Sequence, residues 1–238
     1  SLARQKKLIP INHLQAHLLS PRLTSNLSFP YLCLLVSGGN TALVLVKSPK
    51  KFVTLGSTID DSAGECFDKV SKALGLGYPG GPAIEKLALK GGRYKYKLPL
   101  PLTKVKNCNF SFSGLKTAAI DIIKKNRTNK RFLENFCASF QYTVGEIFKK
   151  KIGNSIDVMN NEGIKFKDFS ICGGVAANQY LNKLIKGFII ERNMNCDQVL
   201  LWLCNENAAM IGWNAIELMQ YGKLKLNNYN IRPTPNIL

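Results

Sequence analysis

Residues 58–82 read TIDDSAGECFDKVSKALGLGYPGGP, and the organisation of the chain is worked out from this stretch. It opens on adjacent carboxylates, Asp60 and Asp61. Ser62 then stands where a helix N-cap belongs, with Glu65 three residues on as its capping-box partner. Cys66, Phe67, Val70 and Leu74 follow at the spacing of one buried helix face. Glu65–Lys69 and Asp68–Lys72 have the i,i+4 spacing of solvated ion pairs on another face. Gly75 and Gly77 end the helix. Tyr78-Pro79-Gly80-Gly81-Pro82 makes a stiff turn that brings backbone close to anything in front of it. Both ends of this helix suit a polar ligand, so it is expected to border a site.

Upstream, Tyr31 to Val36 (YLCLLV) reads as a buried strand and Ala42 to Val46 as its return. The intervening Ser37-Gly38-Gly39-Asn40-Thr41 is either a plain tight turn or a loop offering N–H groups and hydroxyls to a phosphate. Earlier still, Asn12 can cap a helix in NHLQAHLLS, with Gln15 in the reciprocal position. His13 and His17, the chain's two histidines, then lie i,i+4 on one face, about 6 Å apart. That spacing lets two imidazoles share a divalent metal. The zincin pattern H-E-x-x-H has the same spacing, but Leu14 replaces its glutamate base, which disfavours peptide hydrolysis. Ser1 to Lys7 reads as the tail of a helix whose beginning lies outside the sequence.

Downstream, Gly91 to Lys106 reads as an exposed basic loop with Tyr94 and Tyr96. Ser113 is a possible cap for the next helix. Two separate helices are expected, one over Arg131 to Lys149 and one in the segment before Asn161. Phe169 to Cys172 reads as a strand, and Gly173-Gly174-Val175-Ala176-Ala177-Asn178 leads into a helix through Arg192. A strand, a Gly-Gly turn and a helix N-terminus can hold an anion on free amides, although neither dinucleotide-binding nor Walker spacing is present. Cys204-Asn205-Glu206-Asn207 starts a last helix. Glu206 is either a partner for that helix dipole or a third ligand beside His13 and His17.

The chain has 238 residues and is 45% hydrophobic, enough for one large or two small domains with a real core. No apolar run approaches the roughly 18 residues of a membrane span. The formal net charge is +18, and it is uneven. Residues 1–59 contain no acid, and residues 86–120 carry eight Lys or Arg and again no acid. Such a field attracts polyanions, with RNA or DNA the commonest class and an anionic membrane surface the competitor. Seven scattered cysteines without a C-x-x-C pair point to free thiols in a reducing compartment, against a disulfide frame or a zinc knuckle.

Taken in order, HLQAH, LVSGGNT, the stretch at 58–82, FSFSGLKTA, GGVAAN and CNENAAMIGW closely resemble the tRNA threonylcarbamoyladenosine synthase family, and its one-protein mitochondrial branch in particular. The resemblance runs from about Ile9 to Pro235. It implies an α/β, actin-like ATPase (ASKHA) fold of two lobes with the ligand in the cleft between them. Residues 31–209 would form the nucleotide- and substrate-binding lobe. Residues 1–30 and 210–238 would belong to an N-terminal lobe that is incomplete here, because the family's opening acidic strand and Gly-rich segment are absent from the sequence.

The activity implied is transfer of the threonylcarbamoyl group from threonylcarbamoyl-AMP to the exocyclic amine of the adenosine next to the tRNA anticodon. One divalent ion (iron, zinc or magnesium) would sit on His13, His17 and Glu206, with Glu206 standing where the family usually has aspartate. Leu35, Val36, Ser37, Gly38, Gly39, Asp68, Gly81, Glu85 and Asn178 would surround the adenylate. The basic tracts would hold the tRNA anticodon arm, with Arg93, Lys95 and Lys97 as contacts and Tyr94 and Tyr96 available for stacking. A homodimer in the mitochondrial matrix is expected, with the cytoplasm as the alternative location. The competing readings are an actin-like small-molecule kinase or ATPase, which needs neither the His pair nor the basic tracts, and a catalytically silent tRNA-binding fragment.

Overall fold

Tyr31–Val36 forms strand β1, and all six of its side chains are buried. A strand that is apolar on both faces must lie inside a sheet covered on both sides. In the computed structural model, which describes residues 9–126, 129–198, 200–204 and 206–222, β1 is the middle strand of five. It pairs antiparallel with β2 (Thr41–Ser48) and parallel with β4 (Asp168–Cys172). Outside β2 lies antiparallel β3 (Lys51–Ser57), and outside β4 lies parallel β5 (Asn195–Gln198), giving the order β3-β2-β1-β4-β5. The sequence reading passed over β3 and β5. Their patterns are broken by Lys51, Gly56 and Asp197, which edge strands tolerate because one side faces solvent.

A parallel neighbour requires a crossover, and helices α2 (Ala63–Ala73), α3 (Gly80–Ala88), α4 (Ser113–Lys125) and α5 (Lys130–Asn161) lie between β3 and β4 in the chain. Expectation holds closely for α2: the Ser62–Glu65 capping box is present in both directions, and Cys66, Phe67 and Val70 are buried. The expected i,i+4 pairs give way to other partners. Glu65 closes the capping box, Lys69 reaches Asp61 at 2.6 Å, and Asp68 accepts the Gly80 N–H at 2.7 Å. Gly80 starts α3 directly after the turn, so the Gly-rich segment is half turn and half helix.

The two helices expected around 131–161 are one helix of 32 residues. Glycine normally weakens a helix interior. Here Gly145 lets Leu184 of α6 (Gln179–Ile190) approach, and Gly153 faces Phe188. Close packing of α5 on α6 replaces what the helix loses in propensity. Phe132, Phe136, Phe140, Val144, Phe148 and Ile152 form the buried stripe of α5, with Phe140 edge-on to Phe67 of α2 at 5.1 Å.

Ser113 does not cap α4. The N-cap position is Phe112, whose ring carries no acceptor for the first amides, and the carboxylate of Asp60 serves instead. Helix α1 (His13–Leu19) packs against α8 (Ala208–Tyr221), and a short α7 (Leu201–Cys204) precedes α8. The expected helical tail at Ser1 to Lys7 and everything after Gly222 lie outside the described residues. Among the described residues no helix is long and apolar enough to cross a membrane. All seven cysteines are free thiols.

Candidate functional site

Two arrangements of polar groups stand out, a cleft beside α2 and a triad between α1 and α8.

The cleft is built by packing backbone against backbone. The β1–β2 hairpin turn is closed by its own groups: the Ser37 N–H donates to the Asn40 carbonyl at 2.8 Å, and the Asn40 N–H to Ser37 Oγ at 3.1 Å. Ser62 Oγ donates to the Gly38 carbonyl at 2.6 Å while accepting the Glu65 N–H, so the cap of α2 also anchors the hairpin. Gly64 lies directly below, where an added Cβ would come 2.5 Å from the Ser37 carbonyl oxygen. Gly173, with φ +91, lets the β4 end pass the Val36 carbonyl at similarly close range. These contacts open a cleft of about 440 Å³ lined by Gly38, Phe67, Asp68, Gly81, Glu85, Gly174 and Asn178, among others.

Of the residues expected around an adenylate, Gly38, Asp68, Gly81, Glu85 and Asn178 therefore line one cavity. Leu35 and Val36 do not: they are buried in β1 and belong to the core. Ser37 and Gly39 sit in the adjoining turn without lining the cavity. The expected anion device at Gly173–Asn178 differs in detail. Gly174–Ala177 is a 3-10 turn, and the first amides of α6 are already taken. Glu85 Oε1 accepts from the Gln179 and Tyr180 N–H groups at 2.7 and 3.3 Å. Asn178 caps the same helix through the Leu181 N–H, and its amide donates to the buried Gln141 at 2.8 Å. Gln141, on α5, is a site-supporting residue that no motif pointed to.

Asp60 and Asp61 also differ from expectation, because both carboxylates face protein. Asp60 binds the start of α4, and Asp61 accepts from Lys69, Lys116 and Ser113 Oγ. Burial raises the Asp61 pKa, but the hydrogen bonds from Lys116, Lys69 and Ser113 outweigh it and hold the pKa at about 2.

The triad is His13, His17 and Glu206, whose ligand-type atoms lie within 4.8 Å of one another. Asn12 caps α1 as expected, and one turn of that helix brings the two imidazoles edge to face with centroids 4.8 Å apart. His13 Nε2 is 3.4 Å from Glu206 Oε1. His17 is 2% exposed, and its buried Nδ1 has no hydrogen-bond partner. Burial and then the neighbouring His13 lower its pKa, with Glu206 acting the other way. A neutral buried imidazole with an orphaned nitrogen is a ready metal ligand. Two nitrogens and one carboxylate oxygen suit a borderline divalent ion. The residues fit the group.

In the basic loop, Arg93, Lys95 and Lys97 are exposed as expected. Tyr94 is 70% exposed, but Tyr96 packs against Phe132 and Phe136 and is not free to stack on a base. The loop is also less free than its composition suggests. Asn135 and Ser139 of α5 accept its Gly92 and Tyr96 N–H groups. Lys151, fully buried, donates to the Leu102, Val105 and Asn107 carbonyls and to Asn107 Oδ1 at 2.8–3.3 Å.

A mixed sheet in this order, a glycine-walled cleft and a metal-type triad define an α/β protein of the actin-like ATPase class. Solved structures agree on the fold. Full-length HypF in its phosphate- and nucleotide-bound form superposes with a TM-score of 0.68 over 93% of this chain and 38% of that one, at 14% identity. HypF of T. kodakarensis gives 0.62 over 90% and 37%, at 13% identity. The sequence model of the TsaD family, tRNA N6-adenosine threonylcarbamoyltransferase, matches residues 1–213. Curated proteins of that name are 43% identical in Wolbachia sp. subsp. Brugia malayi, over 97% of this chain and 68% of the relative, and 45% identical in Rickettsia peacockii, over 91% and 64%. The chain belongs to the TsaD family and is a transferase of the tRNA-modifying class.

Proposed function

We propose that this chain transfers a threonylcarbamoyl group from threonylcarbamoyl-AMP to the N6 amine of the adenosine beside the tRNA anticodon. In that step the amine nitrogen bonds to the carbamoyl carbon, the carbon–oxygen bond to the adenylate phosphate breaks, AMP leaves, and the amine proton passes to water. The observation that carries the reading is the triad: ligand-type atoms of His13 and His17 meet that of Glu206, from the other end of the sequence, within 4.8 Å. Held by these three residues, a divalent ion would supply positive charge for the phosphate as it becomes the leaving group. Asp68, Glu85 and Asn178 offer polar groups to the adenylate, and the glycines at 38, 81 and 174 leave room for close backbone approach. Exposed cations at Arg93, Lys95 and Lys97 suit RNA phosphates.

A small-molecule kinase of the same fold is the weaker reading. It needs amides free for a transferred phosphate, and Glu85 occupies those at the start of α6. The test is mass spectrometry of tRNA nucleosides after incubation of the chain with tRNA and donor, with metal content measured in parallel. Threonylcarbamoyladenosine should form, and His13→Ala should lower bound metal roughly tenfold or more as one of three ligands is lost. Donor consumption without modified adenosine, or equal metal content in a His13→Ala/His17→Ala variant, would overturn the assignment.

A further inference from the structure

A second cavity, of about 410 Å³, lies between α5 and α6 and is lined by Arg93, Lys149, Tyr180, Lys183 and Glu191, among others. We propose that this groove is a subsite for RNA backbone phosphates flanking the adenosine that enters the adenylate cleft, an inference that rests on the tRNA reading above.

Three features carry it. Charge comes first. Arg93, Lys149 and Lys183 face a single carboxylate, Glu191, in the lining. Arg93 and Lys183 form no ion pair among the described residues, and Lys149 is shared with Glu146 at 2.9 Å. The Arg93 guanidinium instead lies over the Tyr94 and Tyr142 rings, 4.9 and 5.6 Å from their centroids. Stacking on ring faces leaves the edge donors of a guanidinium for an acceptor in the groove.

The second feature is an unmet hydrogen bond. Tyr180 Oη is buried and its proton meets no acceptor, since the neighbouring Arg93 guanidinium can only donate to it. An acceptor oxygen between these two groups would satisfy both, and a phosphodiester supplies it.

The third is adjacency. Tyr180 lines the groove, and its N–H donates to Glu85, which lines the adenylate cleft. The groove and the cleft thus meet across Tyr180 and Glu85, so a strand with its adenosine in the cleft would carry neighbouring phosphates over the groove. A small anion does not need such a path, and a basic groove serving a membrane does not need to abut a nucleotide cleft.

The experiment measures binding of an anticodon stem-loop RNA across a salt series for the 238-residue chain, a Lys149→Gln/Lys183→Gln variant, and a charge-matched Lys50→Gln/Lys51→Gln control at the β2–β3 turn. AMP titration calorimetry is run on all three. Losing two phosphate contacts should make the slope of log K against log salt less negative by about 1.5, or roughly thirtyfold in affinity at 0.1 M salt. The control should bind RNA like the unaltered chain, and AMP affinity should stay the same throughout. If the groove variant and the control lose the same affinity and slope, only net charge matters. The groove is then overturned and the tRNA reading stands. If the unaltered chain binds AMP but shows no salt-dependent RNA binding, the tRNA reading fails and takes the groove with it.

Discussion

Asp60 Oδ1 accepts the backbone N–H of Phe112 at 2.8 Å, so a carboxylate at the foot of one helix caps another whose N-cap residue lies 52 positions later. The same side chain takes the Ser113 N–H at 3.3 Å and Ser111 Oγ at 2.5 Å. Thr58 and Phe110 form a parallel bridge beside it, and the Ile59 N–H donates to the Phe110 carbonyl at 3.0 Å. The cap therefore fixes where α4 enters, and it joins α4 to α2. Asp60→Ala leaves two helix-start amides without that acceptor and should cost about 1–2 kcal/mol. Urea unfolding measures this. AMP affinity should change little, because Asp60 faces α4; a large loss of AMP binding at unchanged stability would return Asp60 to the ligand.

Asp61 makes the fold sensitive to acid. Its carboxyl is held at about 2, below the ordinary value of 3.8. Between these values the unfolded chain binds the proton and the folded chain does not. The stability that Asp61 contributes is thus complete above about pH 4 and is lost as pH falls through about 2. Asp61→Asn removes that dependence. Urea midpoints for the wild type should fall more steeply over this interval than those of the variant. Equal slopes would mean that Lys69 and Lys116 hold Asp61 no better than solvent does.

Lys151 is the hidden support of the basic loop. Its ammonium, inside α5's buried surface, meets four oxygens of residues 102–107, and Asn154 adds bonds to the Val105 and Asn107 carbonyls. Burial lowers its pKa. Lys151→Met keeps the stem but removes every donor it supplies, leaving the partly buried loop oxygens short of a partner at a cost of about 1–3 kcal/mol. The exposed Lys104 and Lys106 should then be cut faster by trypsin, at concentrations where the global fold persists. Unchanged cleavage would show that Asn154 and the loop's own turns suffice.

What the sequence made readable was local chemistry. The Ser62–Glu65 capping box, the Asn12 cap and the His13–His17 spacing depend on residues within one turn of each other, and they stand as read. The partners that cross the chain could not be read. Asp60 and Asp61 were expected to face a ligand because they flank a helix whose other end is a Gly-rich turn, yet Lys69, Lys116 and the α4 amides lie close enough to claim them. Helix α5 was expected as two; packing of Gly153 against Phe188 and the bonds from Asn154 to the loop carbonyls explain how both sit inside one helix. Edge strand β3 lacks the uninterrupted apolar run that gave β1 away. Glu85 illustrates both sides. Its place in the cleft was expected from the motif, while its grip on the α6 amides depends on a tertiary contact with no local signature.

The glycines of the hairpin and of α2 offer a sharper test of the cleft than any charged residue. Gly39 has open space around it: an added Cβ would meet nothing within 4 Å. Gly64 is the opposite, since its added Cβ would come 2.5 Å from the Ser37 carbonyl oxygen and 2.8 Å from the Gly38 Cα, both backbone atoms. Backbone cannot rotate aside as a side chain can, so Gly64→Ala must push the hairpin away from α2 or bend α2. Ser62 Oγ, bonded to the Gly38 carbonyl at 2.6 Å, resists the same movement. Relief of the overlap costs about 1–3 kcal/mol, which a domain of this size can absorb. The displaced hairpin carries Gly38, which lines the cleft. Gly64→Ala should therefore weaken AMP binding at least tenfold with the circular dichroism spectrum retained, while Gly39→Ala binds AMP like the wild type. Calorimetry on the pair decides it. Loss of AMP binding in Gly39→Ala alone would place the nucleotide on the outer side of the turn instead of in the cleft between the hairpin and α3.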